Sequence, residues 1–463
     1  MSDGQQGIGN GVGHAVVFGG SIAGLLAALA LAGHAERVTL VERDRYPERP
    51  EPRKGVPQSK HTHLLLESGL RAMLRFLPGL DEELVAAGAQ QVRSPTDYLQ
   101  NMRDRWFARG ATTSTTLCLT RPLLEHGVRG RVLAHPRVTA VQGTDVVGLT
   151  GSADRVTGVL LRERGGERTG TAPTRLAADL VVDASGRSSR TPEWLEALGA
   201  VRPAEDRVES GIGYVSRVYR DGSDGALTDA RLVYLVGETT GAVIAPVEPA
   251  GTHMITFATP RGEPLPTDPE AFEALADRQV HPLVRQWIDK AEPVSPVYGF
   301  LRTENVRRSY DRVVPEGLLV TGDALCALNP VFGQGMSTAA LDAVALDESL
   351  TAGLPNRAAQ TALLAASDQA WTISTGADKA RPGVTGNAAG RTLRDKVSSW
   401  YLGRVQERCG VNTEVQTTFR RVLALLAPPS ELFRPAVVRS VLFQKGAPAG
   451  AEPRLRLAGE RVG

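Results

Sequence analysis

A short apolar run, a glycine- and serine-containing turn and an Ala/Leu-rich segment follow one another near the start of the chain. Residues 14–18 predict a buried strand, residues 19–24 form the turn GGSIAG, and residues 21–31 predict a helix. A second predicted strand, residues 37–41, ends at Glu42, the distance at which a carboxylate bonds a ribose 2′-hydroxyl. This order predicts a Rossmann-type unit that binds a dinucleotide, the alternative being an ordinary strand-to-helix turn.

Each small residue of this turn has a physical reason to be there. We expect Gly19 to make the tight turn out of the strand and Gly24 to let the helix pack closely against the strand. Ser21 stands where the fingerprint has its second glycine, and this small substitute still allows the backbone to approach phosphates. The N-terminus of the helix would face the pyrophosphate.

A second strand-to-helix junction lies far along the chain, at residues 317–336, GLLVTGDALCALNPVFGQGM. The apolar residues 318–320 predict a buried strand that leads to Asp323 and presents this carboxylate to a polyol. A glycine pair, Gly333 and Gly335, then leads into a helical segment whose N-terminus would point at a negatively polarised ring.

Composition argues against several other classes of protein. The chain has 463 residues, which predicts two or three domains, and its net charge of +2 gives no reason to expect a nucleic-acid partner. Three cysteines without paired spacing argue for a reducing compartment, the cytoplasm, and against a structural zinc site. Residues 15–33 are uncharged over the length of a membrane span, but the glycine turn divides them, so we expect no transmembrane segment.

A basic loop, RKGVPQ at residues 53–58, follows the second strand and precedes His61 and His63. We expect Arg53 and Lys54 to contact phosphates or a ribityl chain, and the two histidines to lie on the surface. A metal pair is the alternative for the histidines, but the sequence offers no third ligand nearby.

Further elements complete the predicted nucleotide-binding part. Arg121 opens a predicted helix, where it either reaches a cofactor or lies on the helix surface. Residues 138–147 and 156–162 predict an antiparallel strand pair. Residues 180–182 predict a buried strand that ends in the polar turn DASGRSSR, a geometry suited to phosphate or ribose contacts.

Alternating residues dominate the stretches 211–220 and 231–257, a pattern typical of a mostly antiparallel sheet. Aromatic residues at period two are more often core than binding surface. A sheet inserted between two parts of a nucleotide-binding domain nevertheless has one free face, the default wall of a substrate cavity. The candidate substrate contacts on this sheet are Tyr214, Tyr234 and Phe257.

Four motifs together resemble a known family. GGSIAG with Glu42, the RKGVPQ loop, the VVDASGRSS turn and the GDALCALNPVFGQGMS stretch are similar to the flavin-dependent monooxygenases of the para-hydroxybenzoate hydroxylase fold. The pairing of RKGVPQ and the H-x-H that follows with NPVFGQGMS resembles a bacterial subgroup that includes the flavin epoxidases of polyether polyketide biosynthesis. The resemblance covers residues 15–350.

The resemblance implies FAD as the cofactor. Gly19, Ser21 and Gly24 would hold its pyrophosphate, Glu42 its adenosine ribose and Asp323 its ribityl chain. The helix that begins near Gly335 would point at N1 and the C2 oxygen of the flavin. The remaining implied cofactor contacts are Arg43, Arg53, Lys54, Gly55 and Arg121 around the dinucleotide, and Pro330, Gly333, Gly335 and Met336 beside the isoalloxazine ring.

The implied activity is insertion of one oxygen atom from O2, by epoxidation or hydroxylation, into a lipophilic secondary metabolite such as a polyketide. The resemblance places this chemistry on a flavin C4a-hydroperoxide, so no catalytic side chain is expected. The resemblance implies NAD(P)H as the usual electron source, but the family's Ala-Asp-Gly turn is Ala184-Ser185-Gly186 here, so a separate flavin reductase is the alternative electron source.

Other activities of the same fold stay open. A non-redox cyclase or isomerase that uses FAD as a structural wall is one, and a reductase of the geranylgeranyl type is another. A halogenase is disfavoured because the sequence has no Trp-x-Trp motif.

The expected fold is α/β, with a Rossmann-type FAD-binding domain, an inserted mostly antiparallel β-sheet substrate domain and a C-terminal helical region. The predicted FAD-binding domain comprises residues 13–95, 118–200 and 301–355, and the substrate domain comprises 96–117 and 201–300. The predicted helical region is 356–445, with a disordered lead-in over 1–12 and a flexible tail over 446–463.

Overall fold

The computed structural model describes residues 11–102, 104–165, 172–222 and 230–444. The predicted tail, residues 446–463, lies outside the described residues, as does most of the predicted lead-in, residues 1–12. Within the described part of the chain, no helix is both long enough and apolar enough to cross a membrane.

A five-stranded parallel sheet forms the centre of the nucleotide-binding part. Numbered in chain order, its strands are β1 (Val12–Phe18), β2 (Ala35–Glu42), β8 (Val138–Gln142), β12 (Leu180–Asp183) and β21 (Leu318–Val320). Their spatial order is β21-β12-β1-β2-β8, with every neighbouring pair parallel. The chain first adds strands on one side of β1 and later returns to the other side. The strand order therefore reverses between β1 and β12, the place where open α/β sheets bind ligands.

The expected antiparallel pairing of residues 138–147 with 156–162 is wrong in its first half. Strand β8 lies parallel to β2, and the chain turns at Gly143, whose φ is +67°, before the next strand begins. That strand is the first of a three-stranded antiparallel sheet, β9 (Thr144–Gly151), β10 (Val156–Glu163) and β11 (Thr174–Ala177). The residues 138–147 look like one strand in the sequence, but Gly143 adopts a left-handed conformation and divides them between two strands.

An eight-stranded sheet forms the second layer. Its strands are β5 (Tyr98–Met102), β6 (Arg105–Trp106), β14 (Gly213–Arg220), β15 (Leu232–Val236), β16 (Gly241–Val247), β17 (Thr252–Thr259), β18 (Glu292–Pro293) and β19 (Tyr298–Phe300). Its strand pairs are antiparallel except β5 with β15. This arrangement confirms the mostly antiparallel sheet expected between the parts of the nucleotide-binding unit.

Two small sheets join these layers. One consists of β3 (Leu64–Leu65), β4 (Gln90–Ser94) and β7 (Ser114–Cys118), and the other of β13 (Glu205–Val208), β20 (Asn305–Arg308) and β22 (Cys326–Ala327).

The helices of the first part of the chain are α1 (Ile22–Ala32), α2 (Glu67–Leu74), α3 (Leu80–Ala86), α4 (Arg121–Leu133), α5 (Thr191–Ala197), α6 (Pro269–Ala274) and α7 (Leu283–Ile288). Those of the last part are α8 (Gly335–Thr351), α9 (Asn356–Ala366), α10 (Asp368–Lys379), α11 (Leu393–Arg408), α12 (Thr413–Leu423) and α13 (Pro435–Phe443). The expected α/β fold with C-terminal helices is confirmed.

Apolar packing forms a separate core for each part. The largest core surrounds the parallel sheet and includes most of α1, whose residues are small or apolar on nearly every side. A second core lies between the eight-stranded sheet and helices α6 and α7. A third joins α11, α12 and α13. Because α6 and α7 cover one face of the eight-stranded sheet, the other face is left for a cavity.

Candidate active site

One cavity of about 1060 Å³ connects the carboxyl ends of the parallel strands with the open face of the eight-stranded sheet. Its walls include the turns after β1 and β12, the loop before α8, strands β14 and β15, and the end of α12. Pockets for one small ligand measure roughly 300–1,000 Å³, so this cavity exceeds what one small molecule needs.

Two glycines shape the turn after β1. Gly19 has a φ of +97°, and a Cβ there would lie 2.4 Å from the carbonyl oxygen of Ala184. A Cβ on Gly24 would lie 1.7 Å from the carbonyl oxygen of Gly19, so α1 packs directly on the turn. Gly19 lines the cavity and Gly24 does not. Gly24 therefore acts through packing, as its spacing predicts, and its implied pyrophosphate contact stays a prediction.

Ser21 belongs to a buried network that sequence reasoning missed. Its Oγ donates a hydrogen bond to Glu125 Oε2 at 2.8 Å and accepts one from Arg121 Nη2 at 2.6 Å. Arg53 Nε donates to the other oxygen of Glu125 at 2.6 Å. Burial alone would raise the pKa of Glu125, but the two arginines outweigh burial and lower it. The signal for Glu125 in the sequence is weak, because one glutamate on a helix is usually exposed.

The same corner fits a phosphate group. Helix α1 begins at Ile22 without a side-chain cap, so its first N–H groups have no partner from Ser21. Arg121 is 7% exposed and lines the cavity, which makes the alternative of a helix-surface arginine wrong. Its Nε has no hydrogen-bond partner among the described residues. An open helix N-terminus beside an incompletely bonded guanidinium is the donor set that a pyrophosphate requires.

Glu42, the last residue of β2, lies buried on the cavity wall. Its Oε2 accepts a hydrogen bond from the N–H of Gly20 at 2.7 Å, and its Oε1 accepts one from the N–H of Asp44 at 2.8 Å. Arg53 Nη1 lies 3.2 Å from Glu42 and 3.0 Å from Asp44. Burial would lower the pKa of Arg53, but the Glu125 and Glu42 carboxylates outweigh it and raise the pKa. Arg53 therefore fixes the acidic residues at the end of β2.

Three further residues that the sequence predicts as cofactor contacts also line the cavity beside Glu42, namely Arg43, Lys54 and Gly55. The N–H of Gly55 donates to Asp44 at 2.6 Å, and Arg43 extends to a half-exposed position 3.9 Å from Asp145. These residues thus surround the space beside Glu42.

Asp323 follows β21 and lines the middle of the cavity. Its side chain is one-third exposed and lies 3.4 Å from Arg187 Nε. Below this turn, Asp342 of α8 accepts a hydrogen bond from the N–H of Gly322 at 3.0 Å and one from Thr321 Oγ1 at 3.2 Å. Burial raises the pKa of Asp342 to about 7. Asp342 therefore holds the turn that presents Asp323, a role that the sequence did not reveal.

The loop before α8 brings Pro330, Gly333, Gly335 and Met336 to the cavity, as predicted from the motif. Gly333 adopts a φ of +66°, which favours glycine, and α8 begins at Gly335 with no side-chain cap. Asn329 anchors the loop, because its buried amide donates to Asp378 Oδ2 at 3.0 Å on α10. The N-terminus of α8 is thus held open toward the cavity and attracts negative charge.

The polar turn after β12 is built around Asp183, which is fully buried and does not line the cavity. The carboxylate accepts hydrogen bonds from the hydroxyls of Ser185, Ser189 and Thr191. Ser185 and Gly186 line the cavity, and the Ser185 hydroxyl is bonded to Asp183, so the part of this turn that faces the cavity has no carboxylate.

His61 and His63 are not surface residues, which corrects the sequence expectation. His61 Nδ1 lies 2.8 Å from Ser216 Oγ, and its ring packs edge-on against Tyr214 at 4.7 Å between centroids. Burial lowers the pKa of His61 to about 4 and that of His63 to about 3. Both rings are therefore neutral at pH 7, and His61 joins the segment after the basic loop to the eight-stranded sheet. No metal-binding cluster of three or more His, Cys, Asp or Glu residues occurs in the described ranges.

Strand register decides which aromatic residues reach the cavity. Tyr214 pairs with Ala258 on the neighbouring strand, and both residues line the cavity. Tyr234 lines it as well. Phe257 pairs with Val215, one residue out of phase, and therefore points to the opposite face. There it is fully buried 5.0 Å from the ring of Phe272 on α6. The prediction of a substrate contact is wrong for Phe257, which is a core residue.

The C-terminal helices close the far end of the cavity, and no sequence motif predicts this placement. Gln334 Nε2 donates to the carbonyl oxygen of Leu423 at 3.0 Å and so joins the loop before α8 to the end of α12. The lining residues contributed by these helices and the segments that follow them are Ile373, Arg381, Arg420, Leu423 and Ala424.

Comparison with known proteins identifies the family. The model of the FAD binding domain family matches residues 14–377. The chain belongs to this family. Protein Rv3254 of Mycobacterium tuberculosis (strain ATCC 25618 / H37Rv) is 35% identical over 355 residues, which cover 74% of each chain. A kynurenine 3-monooxygenase of Salinispora arenicola (strain CNS-205) is 28% identical over 370 residues, covering 75% of this chain and 74% of the relative.

A flavin-dependent brominase of known structure shares the fold, with a TM-score of 0.63 and 17% identity over 89% of this chain and 93% of the brominase. The FAD-binding family therefore agrees with the donor set at the α1 N-terminus and with the glycine turn after β1. Family membership and the kynurenine 3-monooxygenase relative confirm the expected enzyme class, a flavin-dependent monooxygenase.

Proposed function

We propose that this FAD-dependent monooxygenase inserts one oxygen atom from O2 into a largely apolar secondary metabolite of polyketide type, by epoxidation or hydroxylation. The observation that carries the proposal is the continuity of one cavity from the Gly19 turn, past Asp323, to the sheet face of Tyr214 and Tyr234. A cofactor bound along the first part would have its ring end beside a substrate on the second part. The motifs RKGVPQ and NPVFGQGMS both contribute to these walls, which supports the epoxidase-like subgroup.

The chain's own residues would bind and position the cofactor. The α1 N-terminus and Arg121 would hold the pyrophosphate, Glu42 the ribose and Asp323 the ribityl chain. The N-terminus of α8 would stabilise negative charge on the ring end. FAD supplies the electron transfer and oxygen activation when bound, while the buried His61 and Tyr214 would exclude water from the substrate side.

We propose further that electrons come from a separate flavin reductase rather than directly from NAD(P)H. The support is Ser185, whose hydroxyl turns inward to Asp183 at 2.6 Å, so that the turn offers no carboxylate to a nicotinamide. Anaerobic mixing of the FAD-loaded protein with NADPH and with NADH tests this. Slow or absent bleaching of the flavin absorption is expected, and rapid bleaching would contradict the proposal.

The oxygen transfer itself is tested by incubating the FAD-loaded protein with a reductase and unsaturated polyketide-like substrates under labelled O2. One labelled atom in the product is expected. Conversion without label, or conversion that continues anaerobically with oxidised FAD, would replace this proposal with a non-redox cyclase or isomerase.

The three cysteines, Cys118, Cys326 and Cys409, are buried and unpaired. Reduced cysteines support the proposed cytoplasmic location, since intracellular thiols stay reduced.

A further inference from the structure

Arg420 of α12 is a buried guanidinium that the proposed cofactor site does not use. It is 5% exposed and lines the far end of the cavity. Its Nη1 donates to Ser94 Oγ at 2.8 Å. Its Nε and Nη2 have no hydrogen-bond acceptor among the described residues. A buried donor without an acceptor destabilises the folded protein, and more so when it is charged, so this residue needs an explanation.

Aromatic rings surround the guanidinium without neutralising it. Its central carbon lies 4.5 Å from the ring centroid of Tyr98 and 5.7 Å from that of Phe107. Such cation–π contacts stabilise the charge but supply no oxygen acceptor to Nε and Nη2. Burial lowers the pKa of Arg420.

Basic side chains line both ends of the cavity, but the lining carboxylates lie at one end only. The carboxylates that line the cavity, among the described residues, are Glu42, Asp44, Asp145 and Asp323, all in the nucleotide-binding part. The far end has Arg420 and Arg381 and no lining carboxylate. The nearest carboxylate to Arg381 is Asp378 at 3.9 Å, and Asp378 already accepts hydrogen bonds from Asn305 and Asn329. The far end is therefore positive, and an anion would find no repelling group there.

Arg420 also lies close to the place where chemistry is proposed. Leu423 follows it by three residues, about 5 Å along the helix, and accepts the hydrogen bond from Gln334 that joins α12 to the loop before α8. On the sheet, Tyr98 of β5 and Leu232 of β15 are register partners, and Gln100 pairs with Tyr234, so these four residues lie on the same cavity face. An anionic group at Arg420 would thus place the attached skeleton across the tyrosines and beside the loop.

We infer that the substrate is an amphiphilic organic anion whose carboxylate, or equivalent ionised enol or phenol, pairs with Nε and Nη2 of Arg420. Its apolar part lies on Tyr98, Tyr214 and Tyr234. This inference rests on the proposed function and narrows its substrate class from a lipophilic compound to an acidic one. Arg420 is then the residue that orients the substrate relative to the flavin.

Equilibrium dialysis of the FAD-loaded protein with 2-naphthoate and with 2-naphthamide at pH 7 tests the inference. The two probes have the same ring system and differ in charge. The wild-type protein should bind naphthoate about 10- to 100-fold more tightly than naphthamide, the effect of charge-assisted hydrogen bonds. Arg420→Gln should remove this preference while naphthamide binding stays within a factor of two or three, and Arg420→Lys should restore part of it. Arg421→Gln, an exposed arginine on the same helix, is the matched control and should retain the full preference.

Equal affinity for both probes in the wild-type protein, or no naphthoate binding at millimolar concentration, overturns the inference. So does a preference that survives in Arg420→Gln. If Arg420→Gln does not fold, the Lys variant and the wild-type preference still decide the question. The FAD content of each sample separates this outcome from the proposed function. Loss of FAD from the wild-type protein would count against the cofactor site, whereas an FAD-loaded protein without anion preference counts only against Arg420.

Discussion

Replacement of Asp342 by asparagine measures how a buried, ionisable carboxyl beneath the Asp323 turn changes the free energy of unfolding with pH. In the wild-type protein, one oxygen of Asp342 accepts the hydrogen bonds from Gly322 and Thr321, and the other has no partner among the described residues. Asparagine keeps an oxygen acceptor in the same position and cannot ionise. The substitution therefore removes the charge while the turn retains its anchor.

The magnitude follows from the raised pKa. Burial raises the pKa of Asp342 from its ordinary 3.8 to about 7. At about 1.4 kcal/mol per pH unit, this difference corresponds to about 4 kcal/mol of unfolding free energy. Because the folded protein holds the proton more tightly than the unfolded chain, this contribution is fully present below pH 4. This contribution is lost as the pH rises through about 7 and is absent at higher pH.

The assay is urea unfolding of the FAD-loaded protein between pH 5 and pH 8. The free energy of unfolding of the wild-type protein should fall over this range by up to about 3 kcal/mol more than that of Asp342→Asn. Glu348→Gln, an exposed carboxylate on the same helix, is the control and should leave the pH dependence unchanged. Parallel pH profiles for the wild-type protein and Asp342→Asn would refute the reasoning.

Three further substitutions separate cofactor contacts from core packing. Asp323→Ala should weaken FAD binding about 10- to 100-fold without loss of fold, because a carboxylate that accepts ribityl hydrogen bonds is removed; unchanged affinity in a fluorescence titration would exclude that role. Glu125→Gln should lower the free energy of unfolding by about 3–5 kcal/mol, since two buried arginines lose their shared charge, and a change below 1 kcal/mol by urea unfolding would contradict it. Phe257→Ala should cost about 3–5 kcal/mol of stability and leave binding of 2-naphthamide unchanged at low temperature, whereas weaker naphthamide binding by a fully folded variant would return Phe257 to the cavity wall.

The parts of the site that the sequence predicted follow from local backbone requirements. The glycine turn after β1 and the loop before α8 each depend on a glycine with a positive φ, Gly19 and Gly333, a conformation that other residues rarely adopt. Strand ends likewise place Glu42 and Asp323 at the same edge of the parallel sheet, because the carboxyl ends of parallel strands meet there. These placements need no knowledge of distant contacts.

The parts that the sequence did not predict depend on long-range packing. Phe257 follows the alternating pattern, but its strand register decides the face to which it points. His61 reads as a loop histidine, and only the eight-stranded sheet buries it. Glu125 and Arg420 lie on helices without a motif, and each becomes informative only through partners about a hundred or more residues away along the chain.

A crystal structure of the FAD-loaded protein would show whether one cavity holds the flavin beside the face where the substrate is proposed to bind. We expect the pyrophosphate at the N-terminus of α1 beside Arg121, the ribityl chain at Asp323, and the isoalloxazine ring against residues 330–335 facing Tyr214 and Tyr234. A ring that lies away from this loop, or an adenosine group away from Glu42, would contradict the account.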